Sequence, residues 1–213
     1  LSAIQRRTPS PTARAVLFGF VLVLAVYFLG PKNAFGPDEP APREAPPAVV
    51  QLDDWLARSE AAYPDIRSGL HKQVVWHGTP GERTPWAVVY LHGFTASRLE
   101  TAPLAETVAQ RLGANLFYTR LAGHGRTTEA MGEPTVQDWL ADAVEAVRVG
   151  ERLGERVLVI GVSTGATLAT WLGARPEGQG VAGYVLISPN YGPKDKKSEL
   201  INQPWGRELA LRL

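Results

Sequence analysis

Arg156-Val157-Leu158-Val159-Ile160-Gly161-Val162-Ser163-Thr164-Gly165 is the stretch whose reading decides the fold. Val157 to Ile160 are apolar at every position, the pattern of a strand buried on both faces. Thr164 to Leu172 then reads as a helix, so a glycine-flanked serine lies directly between strand and helix. That context gives G-x-S-x-G its meaning as a nucleophile elbow. A sharp strand-to-helix turn holds the serine in a strained backbone conformation and lifts its hydroxyl clear of the sheet. Gly161 and Gly165 are needed because a Cβ at either position would meet the crossing backbone. The amino end of the following helix favours negative charge at the same spot. The plainer alternative is a tight βα turn in which Ser163 merely caps the helix.

Further strands and helices alternate on either side. Gln73–His77 is a weak strand and Trp86–His92 a strong one. Ala102–Leu112 has helical periodicity, and Asn115–Leu121 is a strand. Thr135–Arg152 is a helix with Thr135 as N-cap and Asp138 three residues on. Tyr184–Ser188 is a strand, stopped by Pro189. Before all of these, Val50–Tyr63 reads as an amphipathic helix with Leu52, Trp55, Leu56 and Ala62 on one face. Apolar strands separated by helices predict an α/β fold, a mostly parallel sheet with helices on both faces. Ligands in such sheets bind beyond the carboxyl ends of the strands.

Two more loops therefore matter. His92-Gly93-Phe94-Thr95 follows the strand at Trp86, and Ala122-Gly123-His124-Gly125-Arg126 follows the strand at Asn115. Acyl transfer creates an oxyanion that needs fixed donors. The Thr164 N–H, next to the nucleophile, is one candidate. The Phe94 N–H is the other, with Gly93 allowing the close turn. His92 and His124 read as rings that pin backbone, and His71 and His77 as ordinary residues of the weak strand region.

The order HGF, LAGHG and GVSTG on successive loops resembles the α/β-hydrolase superfamily, in particular the carboxylesterase and monoacylglycerol-lipase-like serine hydrolases, over roughly Val74–Pro189. The resemblance implies cleavage of small-molecule acyl esters by Ser163, with Phe94 and Thr164 as oxyanion donors. It does not name the substrate. In these enzymes the triad runs Ser, then Asp or Glu, then His. Here His71, His77, His92 and His124 all precede Ser163. The base and the acid are expected beyond Leu213, Asp195 being a weaker candidate for the acid. Asn190–Leu213 reads as the start of a cap, ending in a helix over Trp205–Leu213. With no Met at residue 1, the sequence reads as an excerpt. The alternatives are a non-catalytic tethered binding module or pseudoenzyme, and an acyltransferase or serine peptidase on the same scaffold.

The amino-terminal part reads differently. Residues 1–14 form a basic tail with Arg6, Arg7 and Arg14, and 15–30 hold the charge-free run AVLFGFVLVLAVYFL. Fifteen residues span roughly 22 Å, near the lower limit for a membrane helix once the flanks are added. The run predicts a single-pass signal anchor, with residues after Lys32 on the extracytoplasmic side. A cleaved signal peptide would use Ala34-Phe35-Gly36. Residues 31–48 are Pro-rich and predict a stiff spacer of up to roughly 50 Å. Residues 49–213 read as the N-terminal, incomplete part of an α/β-hydrolase domain. With 22 Lys+Arg against 21 Asp+Glu, the chain carries no broad field for nucleic acid. It has no cysteine, which excludes disulfides, Cys-bound metal and a thiol nucleophile. No metal or organic cofactor is expected.

Overall fold

The computed structural model describes residues 10–32, 36–192, 195–210 and 212. They fall into two compact units, one holding both chain ends and the other running Gly36–Tyr191.

The larger unit is built on strands β1 (Gln73–Val75), β2 (Thr84–Leu91), β3 (Asn115–Tyr118), β4 (Gly154–Val162) and β5 (Val181–Ile187), in the spatial order β1-β3-β2-β4-β5. The pairs β2–β3, β2–β4 and β4–β5 are parallel, and β1 is antiparallel to β3, so the sheet is mixed. The unit also holds helices α2 (Leu52–Ala61), α3 (Leu104–Leu112), α4 (Val136–Leu153) and α5 (Thr164–Gly173). The smaller unit supplies α1 (Pro11–Phe28) and α6 (Gly206–Ala210).

The alternation along β2 explains its unbroken apolar sequence. Ala87, Val89 and Leu91 enter one core with α4, α5 and α2, while Val88 and Tyr90 enter a second with α3. Both faces are covered, so neither needs a polar residue. Helix α4 begins as expected, with Thr135 and Asp138 forming a reciprocal capping box. The strand expected over Asn115–Leu121 ends at Tyr118, although Thr119 to Leu121 stay buried.

Helix α2 buries Leu52 and Leu56 but leaves Ala62, expected on the same face, exposed. Glu60 is buried instead, because its carboxylate meets the Arg120 guanidinium twice, each time at 2.9 Å. Burial alone would raise the Glu60 pKa. The bonds from Arg120 and the Lys72 N–H override this and hold it below the usual carboxylate range.

The Pro-rich stretch expected to stand off the domain is fastened to it from residue 37 onward. Gln137 Nε2 donates to Pro37 O at 2.6 Å, and Ala41 N–H donates to Gln137 O at 3.0 Å. Arg152 Nε donates to Pro46 O at 3.4 Å. Extended proline backbone makes no internal hydrogen bonds, so its carbonyls are free to accept from a neighbouring helix. Arg43 reaches Asp142 at 2.5 Å and Glu145 at 3.4 Å, and Lys72 pairs with Glu145 and lies 3.8 Å from Asp142.

In the smaller unit, α1 is one helix long and apolar enough to cross a membrane, with none of its window buried. Ser10 caps its start, accepting the Ala13 N–H at 3.2 Å. Near its end, Trp205 donates its N–H to Pro31 O and its indole Nε1–H to Val26 O, both at 2.9 Å. Asp195 caps the turn Lys196–Asn202 by accepting the Lys197 N–H. The expected helix over Trp205–Leu213 is present as α6, and Leu211 and Leu213 lie outside the described residues. So do Arg6, Arg7 and two of the three residues of the alternative cleavage site, Ala34 and Phe35.

Candidate active site

Register brings the two key loops together. Leu91 of β2 pairs with Gly161 of β4, so His92–Thr95 and Ser163–Thr164 leave the sheet side by side. A Cβ built on Gly93 would lie 3.3 Å from Ser163 Cβ.

Ser163 has φ 49° and ψ −113°, a conformation that L-residues seldom adopt and that costs about 1–3 kcal/mol. Its backbone is held there from several directions. The Ser163 N–H donates to Ile187 O at 2.9 Å. The Ser163 carbonyl accepts the Thr167 N–H at 3.0 Å and the Asn190 N–H at 3.4 Å. The hydroxyl makes no capping bond to α5, which removes the plain helix-cap alternative. The flanking glycines are obligatory: a Cβ on Gly161 would sit 2.6 Å from Gly165 O, and one on Gly165 would sit 2.1 Å from Leu91 O.

The two expected oxyanion donors are on these same loops. Thr164 is the first residue of α5, where N–H groups lack intrahelical partners. Among the described residues, neither the Thr164 nor the Phe94 N–H donates to another group. The Phe94 ring is exposed and stands edge-on to Trp139 and to His124, with centroids 5.9 Å away in both cases.

His92 and His124 cross-link the loops after β2 and β3. His92 Nε2 accepts the Leu121 N–H at 3.1 Å, which leaves the proton on Nδ1, 2.9 Å from Gly93 O. His124 Nε2 accepts the Thr95 N–H at 3.1 Å, and its Nδ1 lies 3.2 Å from Ala122 O. The two rings are 4.8 Å apart. Burial lowers both pKa values, that of His92 to about 4. Both rings are therefore neutral fasteners, in line with the expectation of pinning roles. His71 lies on the wall of a 510 Å³ hollow against α2 and β1 that does not include Ser163.

Sequence reasoning passed over three contributors. Glu100 Oε2 accepts the Gly93 N–H at 2.9 Å and the Tyr90 hydroxyl at 3.4 Å. Burial, with help from Glu100, pushes the Tyr90 phenol up to about 12. Asp142, on α4, accepts the Ala122 N–H at 2.6 Å and so braces the loop carrying His124. Burial holds its pKa above the usual range despite Lys72 and Arg43. Trp139 donates its indole N–H to Ala122 O at 3.0 Å. The apolar spacing of α4 gave a signal for Trp139, but none marked Glu100 or Asp142.

Comparison with known proteins places the chain in a family. A family model described as serine aminopeptidase, S33, matches residues 82–213. The chain is 35% identical over 91 residues to a thermostable monoacylglycerol lipase of Bacillus sp. (strain H-257), covering 43% of this chain and 36% of the relative. A solved structure from work on LipS and LipT, two metagenome-derived lipolytic enzymes, superposes with a TM-score of 0.54 at 28% identity. That match covers 64% of this chain and 52% of the other, so the chain spans about half of that structure and a smaller part of the curated relative.

Proposed function

The chain belongs to the serine aminopeptidase, S33, family and is an esterase-like α/β hydrolase, and on that premise we propose that it carries the nucleophile and oxyanion hole of a membrane-anchored serine ester hydrolase. The observation that carries this reading is Ser163 itself: strained at φ 49°, pinned through its backbone, and with a hydroxyl that makes no hydrogen bond among the described residues.

In this mechanism the Ser163 oxygen attacks the carbonyl carbon of a small acyl ester. Negative charge grows on the carbonyl oxygen and is received by the Phe94 and Thr164 N–H groups, each worth about 10²–10³ in rate. The amino end of α5 adds to the stabilisation. The acyl-enzyme forms as the alcohol departs, and water then releases the acid. Both proton transfers need a general acid–base, which in this family is the imidazole of the triad. His92 and His124 have each ring nitrogen committed to backbone, so neither serves. We place the base and its carboxylate partner after Leu213, in the order Ser, acid, His. Helix α1 acts as a single-pass anchor, with the hydrolase on the extracytoplasmic side.

The test is a fluorophosphonate probe on the full-length protein. Labelling that disappears in Ser163→Ala supports the enzyme. A protein that never labels is a binding module on the hydrolase scaffold, a reading favoured by His92 and His124, the histidines on the neighbouring loops, having both ring nitrogens committed to backbone. Product analysis with an added alcohol acceptor separates hydrolysis from acyl transfer, and a peptide substrate tests peptidase action.

A further inference from the structure

Glu100 has one carboxylate oxygen engaged and one free. Oε2 clamps the Gly93 N–H at 2.9 Å, while Oε1 accepts no hydrogen bond among the described residues. The free oxygen lies 2.6 Å from the point where a Gly93 Cβ would stand, and that point is 3.3 Å from Ser163 Cβ. Oε1 is therefore within about 6 Å of Ser163 Cβ, a range at which a unit charge still acts strongly near a protein surface.

No ion pair neutralises this charge among the described residues. Arg98 is committed elsewhere: its Nε donates to Gly69 O at 2.8 Å, and its guanidinium lies over the Tyr118 ring. Arg67 shares the wall of a 310 Å³ hollow with Glu100, Thr95 and Leu99, and no ion pair joins it to Glu100 among the described residues. A bare carboxylate beside an oxyanion hole opposes the charge that the hole must receive. For a neutral substrate this slows the reaction. For a substrate with its own positive charge nearby, the same carboxylate binds that charge and the penalty disappears.

We propose that Glu100 is a specificity-determining residue, selecting acyl substrates that carry a cationic centre, such as an ammonium group, a few bonds from the scissile carbonyl. This rests on Ser163 being the nucleophile. The clamp on Gly93 fixes the carboxylate in register with the Phe94 donor, so the charge is presented at a set distance from the reacting carbon.

The test uses two fluorophosphonates of equal size, one ending in trimethylammonium and the other in tert-butyl. In each, the Ser163 oxygen bonds to phosphorus, fluoride leaves, and the hydroxyl proton passes to the base. Both are reacted with full-length wild type and with Glu100→Gln, whose side-chain oxygen still accepts the Gly93 N–H. Wild type should label about tenfold faster with the ammonium probe, a preference that shrinks at ~1 M salt, where the screening length is about 3 Å. In Glu100→Gln the two rates should converge. Equal rates in wild type, or a preference that survives the substitution or the salt, overturn the proposal while leaving Ser163 as nucleophile. If neither probe labels wild type, the nucleophile reading falls, and this inference falls with it.

Discussion

After β4 the chain turns through Ser163 at φ 49°, and its side chain makes no capping bond to the following helix and no hydrogen bond among the described residues. After β2 and β3 it turns beside His92 and His124, whose four ring nitrogens are all engaged with backbone. The first turn stores strain and leaves a hydroxyl free among the described residues. The second pair uses reactive-looking groups to remove freedom from the backbone. The difference teaches that a histidine between glycines is read by its partners, because a ring with both nitrogens committed cannot shuttle protons.

The sharpest break of this comparison is in activity. Ser163→Ala should lower ester turnover by about 10⁵ and abolish fluorophosphonate labelling, with little change in melting temperature. His92→Ala should do the reverse in kind, costing about 3 kcal/mol of stability through the lost acceptor, lost donor and resulting cavity. Chemical denaturation checks it, and an unchanged midpoint would show that the ring holds nothing.

Acid should act on the same pair of loops. The His92 pKa falls from an ordinary 6.5 to about 4 in the fold, so the buried ring favours its neutral form. Its contribution is present above pH 6.5 and is lost as pH falls towards 4, by about 3 kcal/mol in full. Denaturation midpoints measured across that window should slope downward, and His92→Gln should flatten the slope. The smallest expected effect is a gain. Ser163→Gly removes the penalty of positive φ and should stabilise the protein by about 1 kcal/mol while destroying its reactivity. A loss of stability would mean that the elbow is not strained.

Much of this was legible in the sequence, for specific reasons. The runs from Trp86 and Arg156 are apolar at both parities, and only a strand covered on two faces requires that. Gly161, Ser163 and Gly165 are marked because sterics leave no substitute for the glycines. Glu100 and Asp142 were not legible, since a carboxylate that accepts a distant backbone N–H leaves no periodic trace. Glu60 was hidden for the same reason: its partner Arg120 lies sixty residues away and turns an apparently solvated position into a buried one. The proline-rich stretch misled because composition reports stiffness, not which donors on α4 await its carbonyls.

That last attachment has a practical side. Asp142 and Glu145 are buried and share Arg43 with Lys72 as their counter-ions. Trimming the protein at residue 48, where composition suggests a natural boundary, would strip away Arg43 and leave two carboxylates facing a single ammonium. Proteolysis or recombinant expression starting at Gly36 keeps the set intact, so the safe place to shorten this protein lies a dozen residues upstream of the apparent one.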